Sequence, residues 1–149
     1  MRRLGRGDLP SMRAANRLFA QVFEDPESYL SAPPDDHYLT ELLANPDFIM
    51  LAAFLAGDMV GALAAYRLPK FEQARREVHI YDLAVRTEHR RVGVATALLE
   101  ALKPIAREMR AWVIFVQADP PDAPAVALYD KLGVRESVLH FDISPGGDR

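Results

Sequence analysis

Apolar residues recur along this chain in two rhythms, and the switches between them outline its elements. Over "GDLPSMRAANRLFAQVF", Met12, Ala15, Leu18, Phe19 and Val22 repeat at helical spacing, with Asp8 in a capping position and Pro10 in the first turn. "EDPESYLSAPPDD", dense in proline and acid, reads as a loop. "DDHYLTELLANPD" predicts a second short helix, with Tyr38, Leu39, Leu42 and Leu43 on one side and Pro46 as its stop. The rhythm then changes. "FIMLAAFL" and "MVGALAAYRL", joined by "AGD", carry the signal of a hairpin. After the polar connection "PKFEQARR", the nearly unbroken apolar run "EVHIYDLAV" predicts a strand covered on both faces.

Helical spacing returns with Val92, Ala95, Leu98, Leu102, Ile105 and Met109, and Pro104 is expected to kink the later half. "WVIFVQA" reads as a further buried strand, "DPPDAPAVALYDKLG" as a short helix ended by Gly133, and "SVLHFDI" as a last strand. An antiparallel first half joined to a βαβ second half gives a mixed α/β (α+β) class, a central mixed sheet flanked by helices. The pattern shows no repeat and no linker. A single domain over 1–149 is expected, with the N-terminal arm 1–7 and the tail 144–149 flexible.

Composition changes this picture little. The 149 residues suit one domain with a real core, and 18 basic against 21 acidic residues disfavour a general nucleic-acid binder. No cysteine is present, so disulfides, thiolate metal sites and a cysteine nucleophile are excluded. No apolar run approaches a bilayer span, and "MRRLGRGDLP" lacks the apolar core of a signal peptide. A cytoplasmic protein with neither membrane nor nucleic-acid partner is the expectation.

Two places carry candidate chemistry. The first is "HRRVGVATALL", which opens the long helix. Amide groups at a helix start lack internal partners and sit at the positive end of the macrodipole, so an anion fits there. Gly93 lets a phosphate approach the main chain, Ala95 and Thr96 keep the next turn small, and Arg90 and Arg91 add positive charge. A tight strand-to-helix turn with solvated arginines explains the same residues. The segment is neither GxGxxG nor a Walker loop. The second place is Asp82, an acid inside an apolar strand, which costs several kcal/mol unless paired or hydrated. Alternation puts it on one face with Val78, Ile80 and Ala84, opposite Tyr81, Leu83 and Val85. It is either a salt-bridging or capping residue or a receptor for a cation and its proton.

"RRVGVA" resembles the acyl-CoA signature of the GNAT N-acetyltransferases, Gln/Arg-x-x-Gly-x-Gly/Ala, with Arg90, Gly93 and Ala95 in place, and "ALYDKLGV" resembles their late Leu-Tyr-x-Lys-x-Gly mark. The order of elements agrees. More particular stretches, "LPKFEQ", "IYDLAV", "FVQAD" and "HFDI", resemble the aminoglycoside 3-N-acetyltransferases of type I, the gentamicin acetyltransferases; "EDPESYLSAPPDD" matches less well. The resemblance implies acetyl-CoA as cosubstrate and no metal. Backbone groups of Val92, Gly93, Val94, Ala95 and Thr96, beside Arg90 and Arg91, would hold its pyrophosphate, and Leu83, Ala84 and Val85 would pair with its pantetheine arm. An aminoglycoside would take the acetyl group on its 3-amino group by direct transfer in a ternary complex. Asp82 would orient the amine and accept its proton, with Tyr81 beside it, and Tyr129 would protonate the departing thiolate.

A polycation needs carboxylates. Asp119 and Asp142, near strand ends, are the further substrate candidates; Glu72, Asp122, Asp35 and Asp36 read better as solvated or capping acids. His37, His79, His89 and His140 have no metal-ligand spacing, and Trp112 reads as core. A polyamine or other amine as acceptor, a non-catalytic acyl-CoA sensor and a homodimer are all compatible with the same residues.

Overall fold

The computed structural model describes residues 1–147. The chain forms two compact units, Met1–Gln117 and Ala118–Arg149. In the first, the helical rhythm is realised in helix α1 (Leu9–Val22), with Pro10 in its first turn and Met12, Ala15, Leu18 and Phe19 buried. Asp8 stands ahead of that helix without capping it; its carboxylate accepts from the Gly5 amide at 2.7 Å and pairs with Arg2. That pairing fixes the N-terminal arm. Instead of hanging loose, Arg2–Arg3 forms a short strand β1, and Leu4 is buried.

The acidic, proline-rich segment contains a short helix α2 (Pro26–Leu30), started by the Asp25 carboxylate accepting from Ser28 N at 3.0 Å. Helix α3 (Asp36–Ala44) follows, capped by Asp35 and ended before Pro46. It buries Leu39 and Leu43 with Leu42 partly covered, but Tyr38 is 61% exposed and off the buried face.

Strands β2 (Phe48–Leu55) and β3 (Asp58–Pro69) form the expected hairpin. Its turn has positive φ at Ala56 and Gly57, which matches the right-handed twist of the strands. Strand β4 (Arg76–Val85) pairs antiparallel with β3, helix α4 (Val94–Glu108) crosses over, and β5 (Ala111–Val116) returns parallel to β4. The sheet order is β1-β2-β3-β4-β5. One face packs on α1 and α3 through Met50, Ala52, Ala62, Ala64 and Ala84. On the other, Ile49, Leu51, Leu63, Val78 and Ile80 are buried, as are Leu98 and Leu102 of α4. Each fully buried leucine contributes roughly 2 kcal/mol. The α4 stripe runs through Leu98, Leu99, Leu102 and Ala106, and the helix continues past Pro104; Val92 precedes it and is 69% exposed.

Strand β5 is an edge, so it is only part-covered rather than buried. Trp112 is 56% exposed there, and the Arg75 guanidinium lies 4.1 Å from its ring centroid. This tryptophan is a stacking surface for a cation and not core.

The second unit contains helix α5 (Ala123–Leu132), capped by Asp122 accepting from Ala125 N at 3.3 Å and followed by Gly133. The expected strand "SVLHFDI" does not form among its described residues, which hold no other strand to complete a ladder. Asp148 and Arg149, in the tail expected to be flexible, lie outside the described residues. No helix of the described residues is long and apolar enough to cross a membrane.

Candidate active site

A bulge decides where Asp82 points. Ala64 lies opposite Asp82 and Ala65 opposite Ile80, so Tyr81 is an extra residue in β4. Cross-strand partners share a face and Ala64 and Ala65 face opposite ways, so Asp82 and Ile80 do too. Simple alternation, which grouped Asp82 with Val78 and Ile80, is therefore corrected. Ile80 and Val78 sit in the α4-side core, while Asp82 joins Ala84 on the α1 side. There it is half-buried, and burial pushes its carboxyl above the usual range. The Tyr29 hydroxyl donates to Asp82 Oδ2 at 2.9 Å and opposes that rise. Tyr81 stands 68% exposed at the bulge.

The same strand has an open edge. Its parallel ladder with β5 ends at Ile80–Val116, and Tyr81–Val85 have β3 on one side and, among the described residues, no strand on the other. Arg86 N donates to Val60 O at 2.8 Å, toward β3. Amide direction alternates along a strand, so Ala84 also points to β3, while Leu83 and Val85 point to the open side. Two backbone donors and acceptors thus face outward, although one guanidinium already takes Val85 O: Arg90 Nε donates to it at 3.4 Å.

A 3₁₀ turn, Thr87–His89, leads to the start of α4. Gly93 is its N-cap at φ +86°, where an L side chain is strained, and a Cβ there would meet nothing within 4 Å. Left-handed backbone, not crowding, is what requires glycine at this point. Arg91 shares that conformation at φ +65° and is exposed. The first-turn amides of α4, Val94 to Thr96, have no intrahelical acceptors, and the space before them is open. An anionic group of phosphate size fits these residues.

Gly61 sets how close that turn comes to the sheet. A Cβ on Gly61 would lie 2.9 Å from Val94 Cγ1 and 3.3 Å from Leu98 Cδ1. A glycine inside a strand is the sequence signal of such a close approach.

Across the sheet, cross-strand pairs line up Phe48, Tyr66, His79 and Phe115, one from each of β2 to β5. Phe48 and Tyr66 lie 5.3 Å apart, His79 stacks on Phe115 at 4.4 Å, and Tyr81 meets Tyr66 edge-on at 6.1 Å. Burial pushes the Tyr66 hydroxyl up and the His79 imidazole down. The Asp82 carboxylate therefore stands beside a wall of phenols and neutral rings.

This arrangement pairs an acid at a bulge with a strand edge opening beside an amide-rich helix start. Residues 13–134 match the acetyltransferase (GNAT) family. The chain belongs to the GNAT acetyltransferase family. Among solved structures, an aminoglycoside acetyltransferase (HMB0005) from an uncultured soil metagenomic sample is 50% identical, with a TM-score of 0.95 over 97% of each chain. A second soil metagenomic aminoglycoside acetyltransferase (meta-AAC0020), solved with sisomicin, is 32% identical, with a TM-score of 0.89 over 96% of this chain and 93% of that one. An N-alpha-acetyltransferase of Sulfurisphaera tokodaii is 29% identical over 65% of this chain and 65% of its own, so the match spans under two thirds of that archaeal relative.

The remaining candidate residues of this GNAT chain separate clearly. Asp35 caps α3, Asp36 pairs with Arg13 at 2.6 Å, and Glu72 lies between Lys70 and Arg75 at 3.8 and 3.6 Å, so all three serve local structure. In the second unit, Asp119 is exposed and Asp142 pairs with His140 at 2.9 Å. Tyr129 lies in α5, and burial, with Asp122 adding to it, raises its hydroxyl above the ordinary phenol value. Among the described residues no group of three or more histidine, aspartate or glutamate side chains is arranged to hold a metal.

Proposed function

We propose that the protein transfers acetyl from acetyl-CoA to an amino group of an aminoglycoside, at the 3-position as its sequence resemblance implies. The observation that carries the reading is Asp82, a half-buried carboxylate on the α1 face just where β4 loses its β5 partner. Support comes from 50% identity to an aminoglycoside acetyltransferase along nearly the whole chain.

In this reading the first-turn amides of α4, with Gly93 and the Arg91 charge, hold the coenzyme's diphosphate. The outward-facing Val85 amide and Leu83 carbonyl take its pantetheine arm, which carries the activated acetyl group. Asp82 receives a cationic amine, orients it and takes its proton directly or through water. Burial makes Asp82 a better base than a free carboxylate, while the incoming ammonium lowers it again. Placement of the amine is therefore its larger contribution. The Leu83 N–H meets the developing oxyanion. Tyr129, by motif, supplies a proton to the leaving thiolate. The phenols at Tyr66 and Tyr81 suit a polyhydroxylated cation, offering hydrogen bonds and ring faces together.

The likeness to archaeal N-alpha-acetyltransferases favours a second acceptor, the amino terminus of a peptide. Thiol release measured with sisomicin, gentamicin, spermidine and a free-amino peptide decides between them. Turnover concentrated on the aminoglycosides, with acetylated product located at the 3-amino group, is expected. Turnover on the peptide alone overturns the aminoglycoside reading and leaves the acetyl-CoA reading standing.

A further inference from the structure

The segment least legible in the sequence supplies the hydrogen bond to the site's acid. Tyr29 lies on the five-residue helix α2, 53 positions before Asp82, and its hydroxyl reaches Asp82 Oδ2 at 2.9 Å. Its ring is held from α1: Phe19 and Phe23 stack at 5.9 Å, and Tyr29 packs on them at 5.8 and 6.0 Å. The backbone ahead of it is fixed as well. Phe23 N returns to Phe19 O and Asp25 N to Ala20 O, closing the end of α1 with Glu24 in the left-handed region at φ +52°. The Asp25 carboxylate then starts α2. A hydroxyl delivered by so many constraints is a placed group.

We propose that Tyr29 is a positioning residue for acetyl transfer: its hydroxyl fixes the Asp82 carboxylate through Oδ2 and leaves Oδ1 for the acceptor amine. This rests on the reading of Asp82 as the acid that receives the acceptor. The titratable groups facing the pair are Tyr81 on β4, Tyr66 on β3 with Tyr38 of α3 behind it, and Asp25 ahead of α2. These are phenols and a carboxylate, so Tyr29 is the donor that favours the charged form of Asp82 against its burial. An anionic Asp82 is what an ammonium requires. The proton of the Tyr29 hydroxyl stays on Tyr29, because burial and the neighbouring carboxylate raise its pKa above that of an ordinary phenol. Its part is to donate a hydrogen bond, not a proton. Segment Asp25–Leu30 is then one wall of the acceptor site.

Tyr29→Phe keeps the ring and removes the hydroxyl. Carboxyl ¹³C NMR titration of Asp82, assigned by its loss in Asp82→Asn, is expected to show a higher midpoint in Tyr29→Phe than in wild type. An unchanged midpoint overturns the proposal. This measurement needs no acceptor, so it still decides the role of Tyr29 if sisomicin proves not to be a substrate. With sisomicin, kcat/KM is expected to fall about tenfold in Tyr29→Phe, with KM for acetyl-CoA unchanged. The double variant Tyr29→Phe/Asp82→Asn is expected to match Asp82→Asn alone, whereas additive losses overturn the proposal. Near-UV circular dichroism and Tm establish that the aromatic cluster survives; if Tyr29→Phe is misfolded, the same titration is made with fluorotyrosine in place of tyrosine, a more acidic donor that lowers the Asp82 midpoint if the bond exists and leaves it unmoved if it does not.

Discussion

Ile80 and Asp82, two positions apart on one strand, face opposite sides of the sheet. The bulge at Tyr81 inverts the parity that spacing alone assigns, and it gives the core an isoleucine and the site an acid from either side of one residue. Substituting either should therefore have unlike consequences.

Asp82→Asn should abolish most activity and slightly raise stability. Its folded pKa is raised, so the native state keeps its proton to higher pH than the unfolded chain. Stability is then greatest with Asp82 protonated and is lost as pH rises from the ordinary carboxylate value through the raised one. Asparagine removes that ionisation while still accepting from Tyr29. At pH 7 the expected outcome is a kcat/KM at least about 100-fold lower and a Tm about 2 °C higher, by thiol-release kinetics and calorimetry. Ile80→Val should instead cost roughly 1 kcal/mol with kinetics nearly unchanged.

Gly93→Ala places a side chain in open space but at φ +86°. The expected cost is roughly 1 kcal/mol of stability, from backbone conformation alone. Arg91→Gly runs the other way: it relieves a left-handed non-glycine at φ +65° while deleting a charge. A higher Tm with weaker acetyl-CoA binding is expected, and calorimetry of both variants with and without coenzyme separates the two effects.

Gly61→Val should drive the first turn of α4 off the sheet, since a Cβ alone would lie 2.9 Å from Val94. Overpacking of this kind costs about 1–3 kcal/mol. If the helix start holds the coenzyme, acetyl-CoA affinity falls as well, measured by isothermal titration at a temperature where the variant is fully folded. Retained affinity would argue that the diphosphate sits elsewhere.

Tyr129→Phe tests the remaining catalytic assignment. A thiolate-protonating phenol predicts kcat lower by about 10- to 100-fold with little change in KM. Its raised pKa also predicts that wild-type kcat stays level through the ordinary phenol range before falling. A variant with wild-type kcat removes Tyr129 from the chemistry.

Much of this was legible in order and little of it in parity. The hairpin around Gly57 and the βαβ crossover follow from turn chemistry and periodicity, which act over a few residues; the left-handed backbone at Gly93 does not. The misplaced face of Asp82 follows from one extra residue, which changes no local propensity. Tyr29 was missed because its partner is 53 positions away and its helix is too short for a periodic signal. Strand β1 was missed because two arginines carry no strand pattern; pairing with Ala52 and Leu51 makes them one. The last apolar run had the alternation of a strand but no ladder in its own unit, and alternation alone makes no hydrogen bonds.

The end of the β4–β5 ladder at Ile80–Val116 has a further meaning. Beyond it, a strand in the middle of the fold is left with one side unzipped, a condition usually confined to the rim of a sheet. An extended ligand lying along Leu83 and Val85 would be less a guest in a pocket than a missing strand, joined to the protein by the same bonds that hold the protein together. Binding and folding would then share one currency, and acetyl-CoA should raise hydrogen-exchange protection most at the amides of Leu83 and Val85, which face the open side.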